Sequence, residues 1–343
     1  MTHLPQILFS HSFQGDVMVS LSAPAGQMAI ESIPSDKLDL TVLILTFNES
    51  RHIERSIASI AAFAREILVV DSFSTDDTVA LAKKAGARVL ENKFVNYSKQ
   101  FQWGLDNGGI TTGWVMRLDA DEVIEADLGA KLMRDLPMLP ADVVGINFDR
   151  KHVFMGRWIK HGGRFPLRLL RVWRVNHGRI EDRWMDEHIV VWGGRTVTFD
   201  GGFSDININD LTFFTEKHNK YATREAIDQL SQKYGLFVRD EGFSSEAVSH
   251  QALIKRWMKE NFYNKLPFWV GPAGYFLYRY FIQLGFLDGA PGLIYHFLQG
   301  FWYRFLVGAK FVELQAGIAD CRNNSERIAR LTQLTGLSME KSN

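Results

Sequence analysis

One cysteine, Cys321, is the whole thiol content of the 343 residues. That excludes an internal disulfide framework and every metal site built from several thiolates, and it fits a reducing compartment. Charge of either sign is not in excess: 39 lysine and arginine residues balance 39 aspartate and glutamate residues. Without a net field the chain has no general attraction for nucleic acid, so any electrostatic function is local. Long apolar runs are also missing. Residues 262–305 hold 16 aromatics, yet their longest stretch free of Asp, Glu, Lys and Arg is GAPGLIYHFLQGFWY, residues 289–303. That is shorter than the roughly 18–20 apolar residues a membrane-spanning helix needs. The first forty residues lack the basic segment and compact apolar stretch of a secretory signal, so 1–38 reads as a loosely ordered extension on a cytoplasmic-facing chain. No G-x-G-x-x-G follows the first expected strand and no G-x-x-x-x-G-K-[ST] occurs, which argues against a dinucleotide fold and a P-loop ATPase.

From residue 40 onward, β-branched runs alternate with helical patterns, the signature of a mostly parallel sheet flanked by helices. LTVLILTF (40–47) and EILVVD (66–71) read as strands, and between them Ile53, Ile57 and Ile60 recur at helical spacing. Ser74 or Asp76 is placed to cap a second helix that stops at Gly86. ARVLEN, a helix near 96–107, the strand GWVMRLD, and strands at 143–149 and 167–173 continue the series. After 205 the pattern becomes helical, with 201–206 as the expected boundary. The expected layout is an extension (1–38), an α/β domain (39–205), a helical region (206–320) and a tail (321–343). No internal repeat or low-complexity tract is present.

In such sheets ligands bind at the carboxyl edge of the strands, where loops and helix N-termini face one crevice. Three polar clusters fall there: TFNE (46–49), DSFSTDD (71–77) and DADE (119–122). The DAD segment suits a divalent cation, because Mg²⁺ and Mn²⁺ prefer oxygen ligands and keep several waters. Asp121 is the expected direct ligand, with Asp119 directed toward ribose or a metal-bound water. The plainer alternative is a solvated loop in which Asp121 and Glu122 introduce a helix.

The ordered trio LILTFNES, ILVVDSFSTDDT and WVMRLDADE resembles the family 2 glycosyltransferases of the inverting type with the GT-A fold, from residue 40 to about 190. The resemblance implies that Thr46, Phe47, Asn48 and Glu49 line a nucleoside pocket, that Asp71 contacts the base or ribose, and that DAD holds Mg²⁺ or Mn²⁺. Ser72 stands where many relatives carry a second acid. Lys99 lies where relatives place a basic residue near the nucleotide. GRWIKHGGRFP, LLRVWR and MDEHI are similar to the subgroup that builds bacterial lipopolysaccharide core and exopolysaccharide. On that pattern Glu187 is the catalytic base and Asp186 a neighbouring acid. Arg171 and Arg174 are candidates for the diphosphate, and His161 and Arg164 for phosphate or acceptor, because guanidinium groups fork onto phosphate oxygens. An ion-pair role is the alternative for each.

The segment 267–314 also resembles this subgroup. Between residues 255 and 310, seven basic residues face two acidic ones, Glu260 and Asp288. Basic residues interleaved with Trp and Tyr suit the headgroup layer of an anionic inner leaflet, and a helical core or an oligomer interface is the competing reading. The resemblance thus implies a metal-dependent inverting hexosyltransferase, peripheral or monotopic at the cytoplasmic face of the inner membrane. It would use a nucleotide-diphosphate sugar donor and a lipid-linked saccharide acceptor, with no nucleic-acid partner and with homo-oligomerisation open. A polyprenyl-phosphate glycosyltransferase of the same fold, a sugar nucleotidyltransferase and a catalytically silent binding protein are the alternatives.

Overall fold

The computed structural model describes residues 37–181, 188–236 and 267–337. At its centre β1 (Leu38–Thr46) lies parallel to β2 (Ala64–Asp71) on one side and β4 (Trp114–Asp119) on the other. The sequence LDLTVLILT is apolar on both faces of β1, as a central parallel strand covered on both sides requires. Register aligns Thr46 with Asp71 and Leu45 with Asp119. The three polar clusters therefore emerge at one edge. Short β3 (Arg88–Glu91) pairs with β2 and closes that flank.

On the far side of β4 the direction changes. Antiparallel β8 (Arg168–Arg174) comes next, then β6 (Val143–Phe154), β11 (Arg195–Ile206) and β5 (Glu122–Ile124), giving the order β3-β2-β1-β4-β8-β6-β11-β5. A two-residue strand, β7 (Arg157–Trp158), folds back on β6, and β9 (Gly178–Ile180) pairs with β10 (Ile189–Val191) as a separate ribbon. Residues 201–206 continue β11 inside the sheet, and the strand ends at Ile206, where the helical region was expected to begin. The glycines Gly201 and Gly202 sit within a shift of register between Phe199 and Phe203, a bulge that breaks the alternation by which a strand is read from sequence.

Helix α1 (Ile53–Ile60) buries Ile53, Ile57 and Ile60 against Val42, Ile44 and Val69 on one face of the sheet. Helix α2 (Thr78–Lys84) starts beside Asp76, whose carboxylate accepts from the Thr78 amide. On the other face α3 (Tyr97–Asn107), capped by the Asn96 side chain, packs Phe101 against Leu43, Val70 and Trp173. Helix α4 (Ala126–Asp135) covers the β5 end.

The helical region begins with α5 (Leu211–Tyr234), which Asp210 caps and Gly235 ends in the left-handed conformation that glycine adopts without strain. It packs with α8 (Tyr303–Gly317) and α9 (Asn324–Thr335) around Ala226, Leu230, Leu314 and Leu331. Between them run α6 (Val270–Leu277), a π-helical turn (Tyr278–Ile282), a 3₁₀ turn (Gly285–Asp288), α7 (Gly289–Tyr295) and a second π-helical turn (His296–Trp302). No described helix is long and apolar enough to cross a membrane. The second helix expected after α5, SEAVSHQALIKRWMKENFYNKL, lies outside the described residues.

Candidate active site

At the carboxyl edge of the sheet, the loops that follow β1 and β2 hold one another. Thr46 Oγ1 donates to Asp71 Oδ1 at 2.7 Å, and the amide and hydroxyl of Ser74 both donate to the same carboxylate at 2.6 Å. Asp71 is fully buried, so its oxygens shape the turn after β2 rather than standing open to a base or ribose. Asn48, at φ 56°, accepts from the Thr75 amide at 2.8 Å, while its own amide donates to Ser74 Oγ. Asparagine tolerates that left-handed backbone because its short side chain bonds locally. Glu49 pairs with His52 at 2.7 Å. Two rings are left outside this frame: Phe47 is 58% exposed and Phe73 54% exposed. Phe73 has φ 60°, a strained conformation for a bulky residue, and strain of this kind concentrates at ligand sites. Lys99 lies in the first turn of α3, where its amide satisfies the Asn96 cap.

Beneath that edge the DADE acids separate into three environments. Asp119 accepts from the Tyr97 hydroxyl, lies 3.5 Å from Arg117 and 3.7 Å from Arg171, and is therefore surrounded by donors. Burial opposes its ionisation, but Arg117, Arg171 and the Tyr97 hydroxyl hold the carboxyl well below the usual range. Glu122 does not start a helix, contrary to the expectation. It begins β5, is buried, and pairs with Arg171 at 2.6 Å and Arg150 at 3.3 Å, while accepting from the Asp119 amide at 2.9 Å. The helix begins four residues later at Ala126. Arg171 is itself buried in this network and holds the acids in place.

Asp121 is the acid with no cation in contact among the described residues. Its carboxylate accepts from the Asn207 side chain at 3.0 Å, and burial together with the Asp205 charge pushes it up to about 6. Oxygen donors with surplus negative charge fit a hard divalent cation. Among the described residues no three His, Cys, Asp or Glu side chains converge as a ligand set. A cation here would thus draw on Asp121 plus substrate oxygens and water, the usual manner of Mg²⁺.

From Asp121 a cavity of about 1380 Å³ extends between β6, β11 and α5 to Tyr295 and Tyr303. Arg150, His152 and Asp205 line it, and none of the three was singled out from sequence. Strand register sets Asp205 opposite His152, with Nδ1 and Oδ2 3.0 Å apart, and Arg150 lies 3.7 Å from Asp205. These partners pull Asp205 down to about 2 against burial. Burial pulls Lys217 on α5 down, but the charges of Tyr221, Asp121, Glu49 and Asp205 raise it above the ordinary lysine range. Arg164 reaches the same cavity, its guanidinium 5.6 Å from the Tyr295 ring.

Two candidates lie elsewhere. Arg174 sits on the Trp114 ring, 4.4 Å away, and donates to the Val143 carbonyl, at the opposite edge of the sheet from the acids. His161 is tied to Asp288, by Nδ1 at 2.7 Å and by its amide at 2.9 Å. The adjacent Gly162 and Gly163 have φ 68° and 65°, and a Cβ on them would collide with His296 and Gln283. The H-G-G segment is thus a close-packed seam onto the helical region, reinforced by Arg279 Nε donating to the Gly162 carbonyl at 2.5 Å. Asp186 and Glu187 lie outside the described residues.

A mixed sheet whose first strands are parallel, with a strand-end acid at their carboxyl edge and a cavity beyond it, defines the GT-A class of fold. Residues 41–207 match the model of glycosyl transferase family 2, so the chain carries a domain of that family. The chain is similar to lipopolysaccharide core biosynthesis glycosyltransferase LpsC of Rhizobium meliloti, with 27% identity over 286 residues, 82% of this chain and 94% of that one. It is 40% identical over 91 residues to an uncharacterised glycosyltransferase of Rickettsia conorii, a match covering 26% of this chain and 31% of the relative's length. A solved structure of glucosyl-3-phosphoglycerate synthase from Mycobacterium tuberculosis, with Mn²⁺, UDP and glucosyl-3-phosphoglycerate, aligns at 22% identity and TM-score 0.29, over 33% of this chain and 44% of that one.

Proposed function

We propose that the protein is an inverting glycosyltransferase that moves a sugar from a nucleotide-diphosphate sugar, with UDP-sugar the leading donor, to a lipid-linked saccharide of bacterial lipopolysaccharide or exopolysaccharide. The observation that carries this reading is the position of Asp121, between an edge with exposed aromatic rings and a cavity roomy enough for several sugar rings. The similarity to LpsC across most of both chains supports the product class.

In this reading Phe47 stacks on the base, and the Asn48–Ser74–Asp71 frame keeps the loop rigid. Asp121 would hold Mg²⁺ or Mn²⁺, with Asp119 behind it toward ribose. The cation's contribution is to neutralise the departing diphosphate. Glu187 accepts the proton of the acceptor hydroxyl as that oxygen bonds to the anomeric carbon from the face opposite the nucleotide. The bond to the diphosphate breaks with its electron pair leaving on phosphate oxygen, so configuration inverts.

The helical region fits a bilayer surface. Leu277, Tyr278, Phe281, Ile282, Leu284, Phe286 and Leu287 are exposed along the turns between α6 and α7, and Ile282 reaches 71%. The one acid of residues 267–304, Asp288, is buried against His161. An exposed apolar face free of negative charge suits an anionic leaflet, which would bring a lipid-linked acceptor to the cavity.

The test is incubation of purified protein with UDP-, GDP- and dTDP-sugars, Mn²⁺ and a membrane extract containing truncated lipopolysaccharide. Release of the nucleoside diphosphate with sugar transfer to lipid is the expected result. Pyrophosphate release from a nucleoside triphosphate would instead identify a nucleotidyltransferase. If Glu187→Gln keeps full activity, the acceptor is an already ionised polyprenyl phosphate.

A further inference from the structure

We propose that the cavity beyond Asp121 is built for an anionic acceptor, with Arg164 and Lys217 binding a phosphate or carboxylate group carried by the saccharide. The inference rests on the glycosyltransferase reading and adds the chemical class of the acceptor.

The cations around the site divide into two sets. Arg171 and Arg150 are committed to Glu122, and Arg150 also to Asp205. Arg164 and Lys217 face the cavity with no carboxylate in ion-pair range and no side-chain hydrogen bond among the described residues. Arg164 lies against the Tyr295 face, and its Nε is buried with no hydrogen-bond partner among the described residues. Lys217 stands 5.8 Å and 5.9 Å from the rings of Phe213 and Tyr221. Carboxylates act on them from beyond ion-pair range, Asp205 on Arg164 and Asp121 and Glu49 on Lys217, and a buried donor such as Arg164 Nε requires an acceptor.

The same wall carries a further donor without a partner among the described residues: Arg150 Nε is buried and unbonded, while His152 donates Nδ1–H to Asp205 and leaves Nε2 as an acceptor. The start of α5, residues 211–214, lines the cavity as well, so the positive end of a 24-residue helix adds to the field there. An anion with several acceptor oxygens would satisfy the Arg164 and Arg150 Nε donors at once. The aromatic rings of Phe214, Tyr221, Tyr295 and Tyr303 line the remaining surface, as a sugar-binding cavity requires.

The donor diphosphate is the other available source of anionic oxygens. The walls argue against it: Thr46, Phe47, Asn48, Glu49, Asp71 and Lys99 are all absent from the cavity lining, and Asp121 marks its boundary on that side. The acceptor therefore occupies it.

The experiment is ligand-observed NMR of the full chain with glucose 6-phosphate, glucuronate and neutral glucose as probes, alongside calorimetry of UDP, GDP and dTDP with Mn²⁺. Nucleotide binding by the unaltered protein tests the glycosyltransferase reading separately. The anionic probes should bind and glucose should not. Arg164→Gln and Lys217→Gln should each weaken the anionic probes by about tenfold, the loss of one charge-assisted hydrogen bond, with nucleotide affinity within about twofold. Arg164→Lys and Lys217→Arg should restore much of the binding, which separates lost charge from lost fold. The proposal is overturned if neither anionic probe binds, if glucose binds equally well, or if the Gln variants lose nucleotide affinity and keep the probes.

Discussion

Arg171 Nη2 lies 2.6 Å from Glu122 Oε1, both side chains are buried, and this pair supports the DAD turn from below. Arg171 also reaches Asp119 at 3.7 Å, while Arg150 links Glu122 to Asp205. The acids that meet substrate in the proposed reading thus stand on acids and cations that do not. A buried pair costs much of its attraction in lost hydration, so its value is in fixing position.

Removing one partner leaves the other buried with its hydrogen bonds unmet, and Glu122, which burial already pushes up to about 7, then rises further. Arg171→Met should lower stability by about 3–5 kcal/mol, read as a lower urea midpoint, and Arg171→Met combined with Glu122→Leu should recover most of it. Equal losses in the single and double variants would show that the pair is not the source.

Asp121→Asn should remove the Mn²⁺-dependent part of nucleotide binding while leaving the protein as stable or more so without metal. The sign follows from linkage. A carboxyl raised from 3.8 to about 6 by burial and Asp205 binds its proton more tightly when folded, so stability rises as pH falls from about 6 toward 3.8. At neutral pH its charge is a penalty, and asparagine relieves it. Calorimetry with UDP and Mn²⁺ and melting curves at pH 5 and 7.5 check both halves.

Phe47→Ala should weaken nucleotide binding by about tenfold with little change in melting temperature. The ring is 58% exposed, so its removal opens no core cavity, while loss of base stacking is worth ~1–3 kcal/mol. A fall in melting temperature with unchanged affinity would mark the ring as structural.

Asp288→Ala should loosen the seam to the helical region, because it strands His161 and two hydrogen bonds to a buried carboxylate. A loss of about 2–3 kcal/mol is expected by chemical denaturation. Gly162→Ala should do the same through collision with His296 and the positive φ.

Phe281→Glu with Ile282→Glu should abolish co-sedimentation with phosphatidylglycerol vesicles and leave nucleotide binding intact. Both side chains are more than half exposed, so folding tolerates the change. Vesicle binding that survives it would place the membrane contact elsewhere.

Much of the first half is legible in sequence because its information is local. Strand runs such as EILVVD, the Ile53, Ile57, Ile60 spacing and the Asp76 carboxylate at the start of α2 each depend on neighbours a few residues away. The alternate directions on the far side of β4 are not legible, and neither is β11, whose Gly201 and Gly202 interrupt the alternation. The position of Glu122 was misread for a related reason: an acid beside a helix pattern resembles a helix start until its two arginine partners, from β6 and β8, are in place.

By itself the sequence determined the alternating α/β order, the three polar clusters at strand ends and the family they resemble. Tertiary structure alone decided which acid is free. Asp119, Asp121 and Glu122 are chemically almost interchangeable, and their difference arises from Tyr97, Arg171, Asn207 and Asp205, brought in from other elements by register and packing. It also decided that Arg164 and Lys217, far apart in the chain, line one cavity. The reason is physical: backbone pattern is set by nearest neighbours, whereas the charge state and freedom of a side chain are set by whatever the fold places within a few ångströms of it.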